Sequence, residues 1–287
     1  MNAATLAGCA AILLWSTLAL LAAGATRIPP LQLVVLTFGL ASLLGLAYAA
    51  VRRVNVLREA RRHPGALLLT SAALGGYHVL YFVAVSHAPV VDASLVAYLW
   101  PLLIVVFAAV SGGARVTRLH FAGAALGLAG AWLVIASRGA LALSPRYLLG
   151  YGAALGCALI WSSYSVANRR HAGAPTELVA LACVAVTVFA VPAHLWLETT
   201  VLPSSREWPM ILLLGAGPVG AAFFLWDRGT KRGRLALLGA LSYAAPVLST
   251  AFLVAAGDAA PTWHIAAGCV LVAGGAALAA LSERRVG

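Results

Sequence analysis

Tyr98-Leu99-Trp100-Pro101 returns 145 residues later as Tyr243-Ala244-Ala245-Pro246. The same offset pairs Gly75 with Gly220, Gly123 with Gly268 and Gly130 with Gly275. Trp15-Ser16-Thr17 returns as Trp161-Ser162-Ser163 at an offset of 146. A single match means little in a chain rich in Ala, Gly and Leu. Five at spacings that differ by at most one residue point to a duplicated unit, with copies at 1–141 and 142–287. Each copy holds five apolar stretches. An odd number of spans puts the copies in opposite orientations, the inverted-repeat arrangement of alternating-access transporters.

Hydrophobic residues make up 62% of the 287 and charged residues only 9%. A soluble domain carries about 45–50% apolar and about 25% charged residues. The chain therefore reads as an all-α integral membrane protein with no soluble domain. Spans are expected at 4–24, 32–51, 66–86, 92–111, 119–137, 147–167, 176–197, 209–227, 234–256 and 263–282. The N-terminus lacks the basic segment and small-residue cleavage site of a leader, and reads as a first span. The longest connection, Arg52–His63, carries five arginines. Pro101, Pro192, Pro218 and Pro246 fall inside spans and are expected to kink them.

The net charge of +11 does not mark a nucleic-acid binder, because the basic residues sit between apolar runs. They read as orientation signals and lipid contacts. Fifteen Lys and Arg lie on the side of the even-numbered loops and the C-terminus. Four lie opposite, at Arg27, Arg138, Arg146 and Arg206. Both termini are therefore expected in the cytoplasm. The four cysteines lie within apolar runs and form no CxxC pair, so neither a disulfide nor a zinc framework is implied.

No enzyme constellation is present: the chain has no HExxH, no Walker loop and no GxSxG. All eight acidic residues lie at or near span ends, which leaves no paired carboxylates and no carboxylate proton relay in mid-membrane. What occupies the span centres is aromatic and hydroxylic. Trp132, Trp196, Trp208, Trp226 and Trp263 stand toward span ends and read as an interface belt. Trp15, Trp100 and Trp161 are central, where either ordinary packing or a cavity wall accounts for them. Tyr77, His78 and Tyr81 share one stripe of the third span. Trp161, Tyr164, Ser165 and Asn168 share one of the sixth, and Ser242, Pro246 and Ser249 one of the ninth, with Tyr243 beside them. Tyr98 and Trp100 lie about 200° apart on a regular helix, and face one cavity only if Pro101 distorts the turn. Two roles fit His78: a neutral imidazole bonded between helices, or a substrate or proton contact. Pro101 and Pro246 read either as hinges of two broken helices or as plain kinks.

The layout resembles the drug/metabolite transporter superfamily, built from two five-helix EamA-type repeats. Phe224-Leu-Trp226-Asp227, Ser242-Tyr243-Ala-Ala-Pro246, Gly268 and Gly274-Gly275 carry the resemblance in the second half. Leu14-Trp15-Ser16-Thr17, Tyr98-Leu-Trp100-Pro101, Trp161-x2-Tyr164 with Asn168-Arg169, and Ser242-Tyr243-x2-Pro246-Val-Leu-Ser249 resemble its aromatic amino-acid exporters. Two departures stand out. Where many relatives carry Leu-Gly-Glu, the fourth span ends Ser111-Gly-Gly-Ala114 and the ninth Ala256-Gly-Asp258. His78 has no family counterpart to lend it a role.

The resemblance implies ten transmembrane helices, two inverted five-helix repeats around a central cavity, in a bacterial inner membrane. The expected function is export of amino acids, aromatic and other large neutral ones; the alternative is efflux of cationic drugs or other small amphiphiles. The candidate substrate-binding residues are Trp15, Tyr77, His78, Tyr81, Tyr98, Trp100, Trp161, Tyr164, Ser242 and Tyr243, with Pro101 and Pro246 as hinges. No catalysis, cofactor or metal is expected. The expected partners are the amino-acid substrate and the lipid bilayer, with a monomer favoured.

Overall fold

The computed structural model describes residues 2–111, 116–137, 139 and 144–286, with side chains through Ser282. The boundary at 141/142, Gly112–Ala114, Arg115 and Arg138, and the side chains of Arg284 and Arg285, lie outside the described residues. The described chain is helical. Helix α1 runs Ala3–Ser16 and resumes after Thr17 as Leu18–Ala23, and α2 is Pro30–Val51. Helix α3 is Pro64–His87; α4 is Val90–Ala97 continued as Trp100–Val110. Helix α5 is Arg118–Ala136, α6 Leu148–Ala167 and α7 Leu178–Leu197. Helix α8 joins Glu207–Ala216, a π turn at Gly217–Ala221, and Ala222–Arg232. Helix α9 is Leu235–Leu241 continued as Ala244–Ala255, and α10 is Trp263–Val286.

Among the described residues, nine of these are long and apolar enough to cross a membrane. The exception is α6, although it has 20 residues. Trp161, Ser162, Ser163, Tyr164 and Ser165 lower its hydropathy, and all but Ser163 are buried against other helices. The connection after α2 is shorter in effect than its length suggests. It holds a seven-residue helix, Val56–Arg62, capped by Asn55, whose side chain accepts from the Arg58 N–H.

The two halves pack symmetrically. The main pairings are α5 with α10, α2 with α7, α3 with α6, α1 with α8, α4 with α6 and α1 with α9. Exchanging each helix for the one five places away returns the same set. Small residues fix the closest approach. A Cβ on Gly123 would lie 2.5 Å from the Gly275 carbonyl, and one on Gly130 2.9 Å from that of Gly268. The repeat-equivalent glycines thus meet crosswise, so α5 and α10 run antiparallel with their backbones in contact. Gly45 against Ala180 and Gly39 against Thr187 make α2 and α7 antiparallel as well.

The two breaks of α4 and α9 support each other. Pro101 stands in the first turn of Trp100–Val110, where its missing N–H is harmless. The next amide, Leu102 N–H, donates to the Tyr243 hydroxyl at 3.0 Å. Tyr243 is thereby placed at the break of its own helix while completing the break in α4.

Candidate functional site

Five helices bring their aromatic residues to one place. Trp15 on α1 meets Trp161 on α6 edge-on, with ring centroids 5.7 Å apart. It also meets Trp100 at 6.4 Å, Phe223 at 6.2 Å and Trp226 at 5.1 Å. Trp15 and Trp161 are repeat equivalents, so their contact lies where the two halves meet. Tyr77 packs on Trp161 at 5.8 Å, as Phe223 does on Trp15 at 6.2 Å. Tyr77 and Tyr81 stack at 6.2 Å, as their spacing on one stripe of α3 requires. Tyr164 leans on Trp161 at 5.3 Å. Edge-to-face geometry is the preferred mode for such rings.

Local backbone features aim these rings. The π turn in α8 exposes the Pro218 carbonyl, which accepts from Trp15 Nε1 at 3.1 Å. Trp226 Nε1 donates to Ser165 Oγ at 3.1 Å, and Ser165 in turn donates to the Trp161 carbonyl at 2.8 Å. His78 Nδ1 lies 2.8 Å from the Leu74 carbonyl one turn back, and its ring meets Phe38 edge-on at 4.9 Å. Tyr98 caps the first half of α4 at the break, its N–H donating to the Ser94 carbonyl, and Trp100 just beyond packs on Trp226 at 5.7 Å.

The structure therefore gathers Trp15, Tyr77, His78, Tyr81, Tyr98, Trp100, Trp161 and Tyr164. It sets Ser242 and Tyr243 apart. Ser242 is fully buried and donates back to the Leu238 carbonyl at 2.7 Å. Tyr243 is packed with Val105, Val134 and Val247. Three residues join the group that the sequence reading left out: Phe38, Phe223 and Trp226. Trp226 corrects the belt assignment, for it is fully buried, while Trp132, Trp196, Trp208 and Trp263 are exposed. The reason is length: α8 continues to Arg232 rather than ending at 227, which places Trp226 more than a turn inside. The i, i+3 spacing of Phe223 and Trp226 was the available signal.

Below the aromatic group lies a buried polar knot, also unforeseen. Asp227 Oδ2 accepts from Thr176 Oγ1 at 2.7 Å and from Lys231 Nζ at 2.9 Å. Its Oδ1 accepts from Asn168 Nδ2 at 3.0 Å. Lys231 Nζ also donates to the Ala174 carbonyl at 3.1 Å. The knot ties the end of α6 and the approach to α7 to α8. Lys231 thus stands on a helix, not in a loop, and its charge is paired. Among the described residues no group of three His, Cys, Asp or Glu side chains could hold a metal ion.

The aromatic group offers ring faces and hydroxyl donors with no fixed charge. Such a surface can hold an ammonium by cation–π attraction and an apolar side chain by area burial.

The chain resembles known proteins along its whole length. The model of the EamA-like transporter family matches residues 2–136 and again 148–281. The aromatic amino acid exporter YddG of Ancylobacter novellus is 48% identical over 286 residues, covering 99% of each chain. The protein of the same name from Escherichia coli is 27% identical over 98% of each. A solved crystal structure, 48% identical, matches 99% of this chain and 98% of its own with a TM-score of 0.94. This multi-pass membrane protein belongs to the EamA-like transporter family.

Proposed function

We propose that this protein exports aromatic and other large neutral amino acids across the bacterial cytoplasmic membrane by alternating access. The observation that carries the proposal is the meeting of Trp15 and Trp161, repeat equivalents 5.7 Å apart, within an uncharged aromatic wall. The export function named for the 48% identical relative agrees with it. In this reading all ten helices cross the membrane as two inverted units, residues 1–141 and 142–287, around a central cavity. Symmetric helix pairing and the antiparallel run of α5 against α10 support that arrangement. Helix α6 counts as a span because its polar residues face inward.

The substrate surface is Trp15, Tyr77, His78, Tyr81, Tyr98, Trp100, Trp161 and Tyr164, with Ser242 and Tyr243 behind it at the α9 break. A zwitterion suits a surface without fixed charge. Its ammonium on a ring face gains about 1–2 kcal/mol when desolvated. Its carboxylate takes hydrogen bonds from Tyr or His donors. Pro101 and Pro246 are the hinges, each starting the second half of a broken helix.

Counterflow in proteoliposomes tests this. Phe, Trp, Leu and Met should exchange faster than Ala and Gly, with Glu and Lys slowest. Pro101→Ala and Pro246→Ala should each slow exchange without weakening binding. Equal exchange of Glu and Phe, or a cationic dye outrunning every amino acid, would overturn the reading. Parental rates in both proline variants would leave the prolines as packing features.

The orientation follows from the basic residues, with both termini inside. In a background lacking the four native cysteines, a cysteine at Asp258 should react with an impermeant thiol reagent outside sealed cells. A cysteine at Ala60 should be protected. The opposite pattern reverses the topology.

A further inference from the structure

A cavity of about 560 Å3 opens between α2 and α8, away from the aromatic group. Its walls are mostly apolar. Leu44 and Tyr48 on α2, and Ala216 and Ala221 on α8, line it and are exposed, so it opens toward the outside of the bundle. From Ala41 to Arg52 the groove wall rises roughly 16 Å along α2, about half of a hydrocarbon core roughly 30 Å thick. Its depth is that of one leaflet.

The mouth is cationic. Arg52, Arg228 and Arg232 line it and are exposed. Neither Arg52 nor Arg228 is ion-paired with another described residue. Arg232 donates one N–H to the Ala172 carbonyl at 3.1 Å. Lys231 also reaches the lining, but Asp227 holds it at 2.9 Å. A single carboxylate, Glu177, stands against the three arginines. An apolar channel one leaflet deep, open sideways and capped by guanidinium groups, complements one kind of molecule. That molecule has a phosphodiester at one end and an acyl chain at the other.

We propose that this groove binds one anionic phospholipid of the cytoplasmic leaflet, its phosphate on Arg52, Arg228 and Arg232. An acyl chain lies along Leu44, Tyr48 and Ala216. The proposal goes beyond the transport reading and takes from it only the orientation that places Arg52 inside. It also gives the lipid a lever. Of the groove wall, Ala216 immediately precedes and Gly220 lies within the π turn whose Pro218 carbonyl holds the Trp15 indole. A chain seated there braces the segment that aims the aromatic group.

Native mass spectrometry of the full chain in detergent, titrated with dioleoylphosphatidylglycerol, tests this. One lipid should be retained, with phosphatidylcholine held at least tenfold more weakly. Arg228→Gln with Arg232→Gln should weaken phosphatidylglycerol binding about tenfold or more. Arg228→Lys with Arg232→Lys should keep most of it. Ala216→Phe fills the apolar wall and should lose the lipid with every arginine in place; its thermal melting reports whether the fold persists. Arg61→Gln with Arg62→Gln removes the same charge from the Val56–Arg62 helix and should change nothing. Equal weakening by that control pair would overturn the proposal in favour of diffuse attraction. Displacement of the lipid by millimolar inorganic phosphate, or by phenylalanine, would overturn it in favour of a small-anion site or a substrate path. Because binding is read without transport, failure of the export reading leaves this result intact.

Discussion

Trp161→Ala should weaken transport of phenylalanine and tryptophan about thirtyfold while largely sparing alanine. Trp161 touches Trp15, Tyr77, Tyr164, Phe223 and Trp226, and is the hub of the aromatic group. If its loss withdraws about 80 Å2 of wall from a large side chain, roughly 2 kcal/mol is lost, about thirtyfold in affinity. Alanine presents little area to that wall and loses little. Trp100→Ala should act in the same direction. Trp226→Ala is the informative contrast. Trp226 is fully buried and its indole N–H donates to Ser165, so its removal leaves a cavity and takes from Ser165 Oγ its donor. That costs about 3–5 kcal/mol of stability, and every substrate should suffer alike. Counterflow with labelled Phe, Trp and Ala, beside thermal melting, separates the cases. Should Trp161→Ala depress Ala and Phe transport equally with a matching fall in melting temperature, Trp161 is packing and not a substrate wall.

Features that depend on apolar length and internal repetition were legible in the sequence. Among the described residues, nine helices long and apolar enough to cross a membrane fall on nine of the expected spans, and α6, on the remaining one, is set apart by its buried Trp, Tyr and Ser residues. The α4 break follows from Pro101, because a proline cannot donate the bond that a continuous helix needs. What the sequence does not encode at Tyr243 is its partner: a buried phenol must find one, and the unmet amide of Leu102 on another helix supplies it. The end of α8 was misread because Asp227 and Lys231 look like loop charges in sequence. Their i, i+4 spacing lets each neutralise the other, so the helix runs on into buried surroundings. Asn168 and Thr176 join them only through the packing of α6 and α7, which no local pattern encodes.

Asp227→Asn and Lys231→Met should each be more damaging alone than together. The pair is almost wholly buried, with side-chain exposures of 1% and 5%. Losing Lys231 leaves a carboxylate with only Asn168 and Thr176 as donors. Losing the charge of Asp227 leaves an ammonium facing the Ala174 carbonyl alone. Breaking one side of a buried pair costs about 3–5 kcal/mol, because the remaining charge stays desolvated. The double variant has no charge to strand. Its amide still accepts from Thr176 on one oxygen, and a methionine fills the lysine volume without a polar demand. A double variant milder than either single one leaves a coupling larger than the greater single loss, about 3 kcal/mol or more, beyond what independent sites allow. Thermal melting and membrane yield of the four proteins measure it. Transport adds a second readout, since the knot joins three helices at the end of the bundle that α8 shares with Arg232. A double variant that is as stable as the parent but exports faster would mark the knot as a latch that opens in each cycle. Additive losses, with the double variant the worst of the four, would show that the two charges act separately.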